Sequence, residues 1–142
     1  MQVQMTAATA GAELMDVRFV SGEAYEVSAR GHRVMVDQPA DAGGEDTAPT
    51  PTELFVASLA TCVAFYAGRY LTRHGFSREG LGVSVCFDMA ADKPARVATV
   101  RLTVRVPADL PAERRPALAA VVSHCTVHNS LTIPPGVTID LT

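Results

Sequence analysis

The sequence predicts an α+β domain, because strand-like and helix-like segments follow one another in blocks. Segments that alternate apolar and polar residues occupy 13–37 and again 81–107, with the length and composition of antiparallel strands. One long apolar segment with helix signals at both ends lies between them, and a second helical segment covers 108–125. Such blocks are typical of the α+β class, whereas strict alternation would favour a parallel sheet.

The first strand block consists of three short alternating runs. Two glycine-containing turns, at 21–22 and 30–31, separate the runs, which predicts an antiparallel meander. The following segment, 38–51, is rich in Gly, Pro, Asp and Thr and is predicted to be a long connecting loop.

The strongest local signal is a helix of about six turns that begins after Thr50. Thr50 can cap it, Pro51 suits its first position, and Glu53 completes a capping box. Gly75 follows a basic last turn and marks its end. Because 54–67 is apolar nearly all round, we expect a central helix buried on most sides.

The remainder of the chain predicts a hairpin, a second helix and a final strand. The hairpin turns at 91–94, and the second helix starts near Asp109, runs to about Cys125 and is kinked or divided by Pro116. A helical turn is expected in "TVHNSLTI", and "GVTIDL" is expected to form the last strand.

Bulk composition predicts one soluble domain. With 142 residues, 48% of them hydrophobic, the chain is expected to form a single domain over 1–142, in which 1–12 frays or adds an edge strand. The net charge of -3 and scattered basic residues argue against nucleic acid. We expect no membrane partner and a cytoplasmic location, because no export signal opens the chain and the longest apolar stretch, 54–67, is short of the roughly 20 residues that span a bilayer.

The three cysteines carry the functional question. An odd number without an export signal argues against a structural disulfide framework. Cys62 lies among core positions of the long helix, where a cysteine is commonly a small hydrophobe, but Cys125 belongs to another helical segment that packs on the same core. Two such thiols can cycle between dithiol and disulfide: a thiolate near an arginine attacks a peroxide, and the second thiol condenses with the sulfenic acid. Cys86 occupies an alternating strand position and is expected to be a packing residue.

A metal site is the alternative for the same residues. Cys125 and His128 form a C-x-x-H pair that Cys62 and His124 could complete. Adjacent residues such as His124 and Cys125 point in different directions on a helix, so we expect no metal. No phosphate-binding loop follows a strand, and no cofactor is expected.

Several phrases together resemble the OsmC/Ohr family of osmotically inducible and organic hydroperoxide resistance proteins. They are the Gly-Gly loop, the P-x-E-L opening of the helix in "PTELFVASLATC", its terminal cysteine, and the second cysteine in "SHCTVHNSL". The resemblance covers about 31–141. It implies two central helices packed with curved antiparallel sheets, in an intertwined homodimer with two active sites at the subunit interface.

The resemblance also implies an activity. Cys62 matches the peroxidatic cysteine that attacks an organic or lipid hydroperoxide, and Cys125 matches the resolving cysteine that forms the disulfide. The protein would then be an antioxidant enzyme of the oxidative stress response, restored by a dithiol or a lipoylated protein.

One family feature is displaced in this sequence. The peroxidases keep an arginine-holding glutamate ten residues before the peroxidatic cysteine, where this chain has Thr52, and Glu53 stands one residue later. Glu53 can act as a helix cap, as an orienting carboxylate, or as both. For the activating arginine we prefer Arg18 over Arg30 and Arg33, because its strand could cross the helix of a dimer partner.

Two other functions stay open on the sequence. One is a non-catalytic OsmC-like protein that binds a small apolar ligand, or senses redox state, at the pocket of the dimer interface. The other is a protein in which neither thiol reacts.

Overall fold

The structure is a computed structural model that describes residues 14–142. The chain divides into two compact units, Met1–Glu53 and Leu54–Thr142. The predicted lead-in, 1–12, lies outside the described residues. The single domain over 1–142 stays a prediction.

The first unit contains a three-stranded antiparallel sheet. Strands β1 (Asp16–Ser21), β2 (Ala24–Ala29) and β3 (His32–Val36) pair in the order β1-β2-β3, as the alternating pattern predicts. The turn between β2 and β3 has positive φ at both Arg30 (50°) and Gly31 (82°). Two such residues form the turn that matches the twist of a hairpin.

The connecting loop of this unit is organised around Asp37, which is 2% exposed. Its Oδ1 accepts a hydrogen bond from the backbone N–H of Gln38, and its Oδ2 accepts two from Thr47, through N–H at 3.0 Å and Oγ1 at 2.6 Å. These bonds lower the pKa of the Asp37 carboxyl, the Thr47 hydroxyl contributing most. Gly44 lies so close that a Cβ there would approach the Gln38 carbonyl oxygen to 2.0 Å, so only glycine fits.

Helix α1 (Pro51–Arg73) begins and ends as the sequence predicts. The backbone N–H of Thr50 donates to Glu53 Oε1 at 2.9 Å, and the N–H of Glu53 donates to Thr50 Oγ1 at 3.1 Å. The predicted capping box is therefore confirmed. At the other end Gly75 has φ of 77°, and the N–H of Phe76 donates to the carbonyl of Leu71, which closes the helix with a Schellman motif.

Burial of α1 is one-sided, which corrects the expectation of a helix buried on most sides. Its buried residues fall mainly at intervals of three or four, and therefore on one face: Val56, Leu59, Ala60, Val63, Ala67, Gly68, Tyr70 and Leu71. Phe55 and Phe65 are 44% and 53% exposed. Side chains of the second unit pack on this face only. The other faces of α1 are also apolar, but no side chain of that unit covers them.

The second unit adds a hairpin and two short helices to α1. The predicted hairpin is confirmed as β4 (Gly82–Met89) paired with β5 (Val97–Arg105). Helices α2 (Arg115–Val122) and α3 (Thr126–Thr132) follow. Pro116 neither kinks nor divides a helix, because it stands in the first turn of α2, where a missing N–H costs nothing.

The predicted last strand is wrong for this chain. Residues 136–141 form neither strand nor helix, and Val137, Ile139 and Leu141 are 79%, 83% and 97% exposed. The alternating pattern is present, but a strand also needs a neighbour that accepts its hydrogen bonds, and no described strand pairs with this segment.

The core of the second unit has two apolar clusters along α1. The first combines Ala67, Tyr70 and Leu71 of α1 with Leu110 and Leu118. The second combines Leu59 and Val63 of α1 with Cys125, and valines and a leucine of the hairpin cover it. The second cluster therefore holds the candidate site.

By length and composition α1 could cross a membrane, and 44% of its most apolar window is buried. Core helices of soluble proteins pass the same test, so this is weak evidence. The structure is consistent with a soluble domain.

Candidate functional site

Cys62 and Cys125 lie in the same apolar cluster, although they are far apart in the sequence. Cys62 is on α1 and half-buried, and Cys125 is fully buried at the start of α3. Both are free thiols. The prediction that Cys62 and Cys125 pack on the same core is therefore confirmed.

Cys125 is the N-cap residue of α3, and its sulfur accepts a hydrogen bond from the backbone N–H of His128 at 3.4 Å. Burial raises the pKa of the Cys125 thiol above its ordinary value, and the neighbouring Cys62 raises it further. The His128 N–H lowers the pKa, an effect smaller than that of burial, so the net direction is upward. At neutral pH, Cys125 is therefore a protonated thiol.

A hydrogen bond between hydroxyl groups joins the two helices that carry the cysteines. Tyr66 Oη and Thr126 Oγ1 are 2.8 Å apart. Tyr66 lies one turn after Cys62 on α1, and Thr126 directly follows Cys125, so the bond fixes the helices beside both thiols. The sequence analysis did not identify Tyr66. Its position four residues after Cys62 is a weak signal, and its partner Thr126 is distant in sequence.

An apolar cavity of about 420 Å³ borders the same cluster. Leu59 and Val63, which pack against Cys125, are part of its wall, together with residues of β5. The other lining residues are Val100, Leu102, Val104, Val122, Ser123, His128, Leu131 and Thr132. A cavity of this size and character suits the alkyl part of a small ligand.

Glu53 has a structural role in this chain, since its Oε1 accepts the N–H of Thr50 in the capping box. Glu53 and Cys62 are nine positions apart on α1, which is about 13.5 Å along an ideal helix. The role of Glu53 as an orienting carboxylate stays a prediction.

Arg18 lies on β1, in the first unit, and is paired with an acid that the sequence analysis did not consider. Its Nε donates to Glu26 Oε1 at 3.1 Å across the β1–β2 ladder, and Arg33 Nε is 3.9 Å from the same oxygen. The Glu26 carboxylate is nearly buried, while the Arg18 side chain is 63% exposed. Cross-strand register is not visible in one sequence, which is why Glu26 was missed.

Cys86 does not pack in the core, in contrast to the expectation. It is exposed on β4, where Val85 and Phe87 on either side of it are half-buried. Side chains alternate between the faces of a strand, and Cys86 lies on the outer one.

Within residues 14–142, no group of three or more His, Cys, Asp and Glu side chains could hold a metal ion.

The geometry defines a class: α+β proteins with two antiparallel sheets and a pair of free thiols on neighbouring helices. The family model described as OsmC-like protein matches residues 43–140. The chain therefore belongs to the OsmC-like protein family, as the resemblance in the sequence implies. No curated protein is similar enough in sequence to match it.

Solved structures share this fold at low sequence identity. One is a protein of Psychrobacter arcticus described as an osmotic stress induced and detoxification response protein, with TM-score 0.77 and 24% identity over 84% of this chain and 88% of that one. The organic hydroperoxide resistance protein OsmC of Legionella pneumophila gives TM-score 0.65 and 19% identity, covering 87% and 91%. An organic hydroperoxide resistance protein of Vibrio cholerae, with captopril in one active site, gives 0.61 and 16%, covering 92% and 89%.

Proposed function

We propose that the protein is a thiol-dependent peroxidase that reduces organic or lipid hydroperoxides through Cys62 and Cys125. The observation that carries the proposal is that the two free thiols share one apolar cluster at the edge of a cavity of about 420 Å³. Proteins of similar fold are named organic hydroperoxide resistance proteins, which favours the same substrate class.

Exposure and protonation suggest how the two cysteines divide the work. A peroxide has to reach the attacking sulfur, and Cys62 is half-buried whereas Cys125 is fully buried. Attack also requires a thiolate, and burial raises the pKa of Cys125. Cys62 is therefore the proposed attacking residue, and Cys125 the resolving one.

The reaction then balances without a cofactor. The Cys62 thiolate attacks the terminal peroxide oxygen, the O–O bond breaks, and the alkoxide takes up a proton and leaves as an alcohol. Sulfur is thereby oxidised to a sulfenic acid. The Cys125 thiol attacks that sulfur, an S–S bond forms, and water leaves. A dithiol or lipoylated protein reduces the disulfide and is itself oxidised.

We further propose that Arg18 lies over the thiol of Cys62 in a homodimer. A guanidinium there would stabilise the thiolate. Glu26 would hold the arginine in place, as a carboxylate at position 52 does in the peroxidases and as Thr52 cannot. A homodimer is supported by apolar side chains exposed in the single chain, among them Val17 and Phe19 on β1 and the alternating residues of 136–141. Light scattering should then give about 30 kDa, twice the 15.0 kDa of one chain.

Alcohol production with a dithiol reductant tests the activity. Cumene hydroperoxide and dithiothreitol should yield cumyl alcohol in amounts that greatly exceed the protein, and Cys62→Ser should abolish turnover. In a separate assay without dithiothreitol, Cys125→Ser should consume about one equivalent and stop at the sulfenic acid, which then has no resolving thiol. Cys86→Ser is the matched control and should be fully active, since Cys86 lies apart on the exposed face of β4. Absence of turnover in the wild-type protein would exclude the proposal.

The apolar cavity favours a second candidate function, the binding of a small apolar ligand without catalysis. Such a protein would carry the ligand through purification, which native mass spectrometry detects, and its thiols would not respond to hydroperoxide.

A further inference from the structure

The thiol of Cys125 is buried, so its proton has no direct route to solvent. The residue is 0% exposed, and burial raises the pKa of the thiol, which keeps the proton on the sulfur. In the proposed function this thiol attacks the oxidised sulfur of Cys62 and loses its proton as the S–S bond forms. A base close to Cys125 that accepts the proton would therefore accelerate this step.

His128 lies one helical turn after Cys125, at the start of α3. Cys125 is the N-cap residue, and the backbone N–H of His128, in the third position of the helix, donates to its sulfur at 3.4 Å. Helical side chains lean toward the N-terminus of their helix, so a side chain at the third position extends back over the N-cap residue. The imidazole of His128 can therefore reach the side of α3 on which the Cys125 sulfur lies.

The lining of the apolar cavity supports this orientation of the His128 side chain. His128 lines the cavity together with Leu59 and Val63, and both of these residues pack with Cys125 in the second cluster. His128 is also exposed, unlike Cys125. Its imidazole can therefore exchange protons with solvent at the edge of a cluster whose thiol cannot.

His128 is the one good base among the described residues that line this cavity. The other polar residues of the lining are Ser123 and Thr132, whose hydroxyls donate to backbone carbonyl oxygens at 2.7 and 3.2 Å. A hydroxyl is a much weaker base than an imidazole. Within residues 14–142, the hydrogen bonds of His128 run through its backbone, so its ring nitrogens are available for proton transfer.

No charged side chain of the described lining faces the His128 imidazole. Helix α1 and strand β5 contribute only apolar side chains to the cavity. The titratable groups of the adjoining cluster are Cys62, Tyr66 and Cys125 itself. The Tyr66 hydroxyl is bonded to Thr126, so the two thiols are the groups with which His128 can exchange a proton.

We propose that His128 is a further catalytic residue, which transfers the proton when Cys62 and Cys125 form their disulfide. The inference rests on the proposed function. The imidazole takes the proton of Cys125 as the S–S bond forms, and the bond between the Cys62 sulfur and the sulfenic oxygen breaks. The imidazolium then gives the proton to the leaving hydroxide, so water is released and no further oxidant is needed. Histidine suits both transfers because it accepts and donates protons near neutral pH.

The test replaces the sulfenic acid with a mixed disulfide on Cys62, so it does not require peroxidase activity. One equivalent of dithiobisnitrobenzoate is added to reduced Cys86→Ser protein, in which Cys62 and Cys125 are the remaining cysteines. Attack of Cys125 on the mixed disulfide releases a second thionitrobenzoate, whose absorbance gives the rate. This group leaves as a thiolate and takes no proton, so the proton of Cys125 has to reach a base.

His128→Gln, in the same background, should slow the second release about a hundredfold at neutral pH, the usual contribution of one general base. Its rate should rise about tenfold per pH unit, because it then depends on the Cys125 thiolate. The parent protein should instead reach a plateau near neutral pH. A residue that only stabilised α3 would leave the shape of this pH profile unchanged. If His128→Gln fails to fold, His128→Asn takes its place with the same expectation.

His124→Gln is the matched control. His124 is also an exposed histidine, but it does not line the apolar cavity, and its Nδ1 is 2.9 Å from the carbonyl oxygen of Ala120. This variant should release thionitrobenzoate at the rate of the parent protein and with the same pH profile.

Three results would overturn the proposal. They are equal rates in His128→Gln and the parent protein, equal slowing by His124→Gln and His128→Gln, and absence of a second release in the parent protein, which would mean that Cys125 does not attack. The peroxidase proposal fails on a different result, the absence of alcohol production from hydroperoxide. The two proposals can therefore fail separately.

Discussion

Tyr66 on α1 and Thr126 on α3 share a hydrogen bond of 2.8 Å between their hydroxyl oxygens. Each of these residues is close in sequence to one of the two clustered cysteines, Cys62 and Cys125. The bond therefore connects the helices at the point where the thiols meet.

Tyr66→Phe should slow formation of the disulfide between these thiols about fivefold. The substitution removes the interhelical bond, a loss of about 1 kcal/mol, and the thiols spend less time in a reactive arrangement. Loss of free thiols after addition of diamide measures the rate. Tyr25→Phe, which removes a hydroxyl from β2 in the other unit, is the matched control. Equal rates for the two variants would show that the Tyr66–Thr126 bond does not position the thiols.

Cys125 should be the slowest of the three cysteines to react with iodoacetamide at neutral pH. Burial raises the pKa of its thiol, so the thiolate fraction is small until the pH rises above about 8.5, the ordinary cysteine value. Mass spectrometry of the alkylated peptides from pH 7 to pH 10 gives each rate. Cys86, exposed on β4, is the internal standard. A Cys125 rate that matches that of Cys86 at pH 7 would contradict the raised pKa.

Arg18 and Glu26 should act as one unit in hydroperoxide reduction. Arg18 pairs with the nearly buried Glu26 carboxylate at 3.1 Å, so Glu26→Gln should leave the guanidinium poorly held. Arg18→Gln and Glu26→Gln are each expected to lower kcat/KM about tenfold or more, and the double variant should be no worse than Arg18→Gln. Additive losses would mean that the two residues work independently. Glu23→Gln, in the neighbouring turn, is the control.

Acid should loosen the loop that follows β3. Hydrogen bonds from Thr47 and Gln38 lower the pKa of Asp37 in the folded protein, so this carboxylate stabilises the fold above its unfolded pKa. The contribution is lost as the pH falls through the depressed folded value, below about 3.9. Urea unfolding between pH 3 and pH 7 should show this loss in the wild type and not in Asp37→Asn. Asp41→Asn, which changes an exposed aspartate in the same loop, should behave like the wild type.

Local signals in the sequence were sufficient for most elements. Helix α1 begins at the capping box of Thr50 and Glu53 and ends before Gly75, and both signals are readable in the sequence. The alternating runs did the same for β1 to β5. Each of these signals acts between residues that are close in sequence, so one chain suffices to find them.

The features that the sequence did not predict depend on contacts between distant residues. Alternation in 136–141 is a local property, but pairing needs another strand, and no described strand of this chain supplies one. Glu26 became visible as the partner of Arg18 only through the β1–β2 register. Such relationships follow from tertiary structure, which a single sequence does not specify residue by residue.

The most direct test of the central claim is to map the cysteines after the reduced protein has reacted with one equivalent of cumene hydroperoxide. Peptide mass spectrometry without reductant should find one disulfide, between Cys62 and Cys125, with Cys86 still a free thiol. In Cys125→Ser the same treatment should leave a sulfenic acid on Cys62 that dimedone traps. Three unmodified thiols in the treated wild-type protein would contradict the account, and so would a disulfide that includes Cys86.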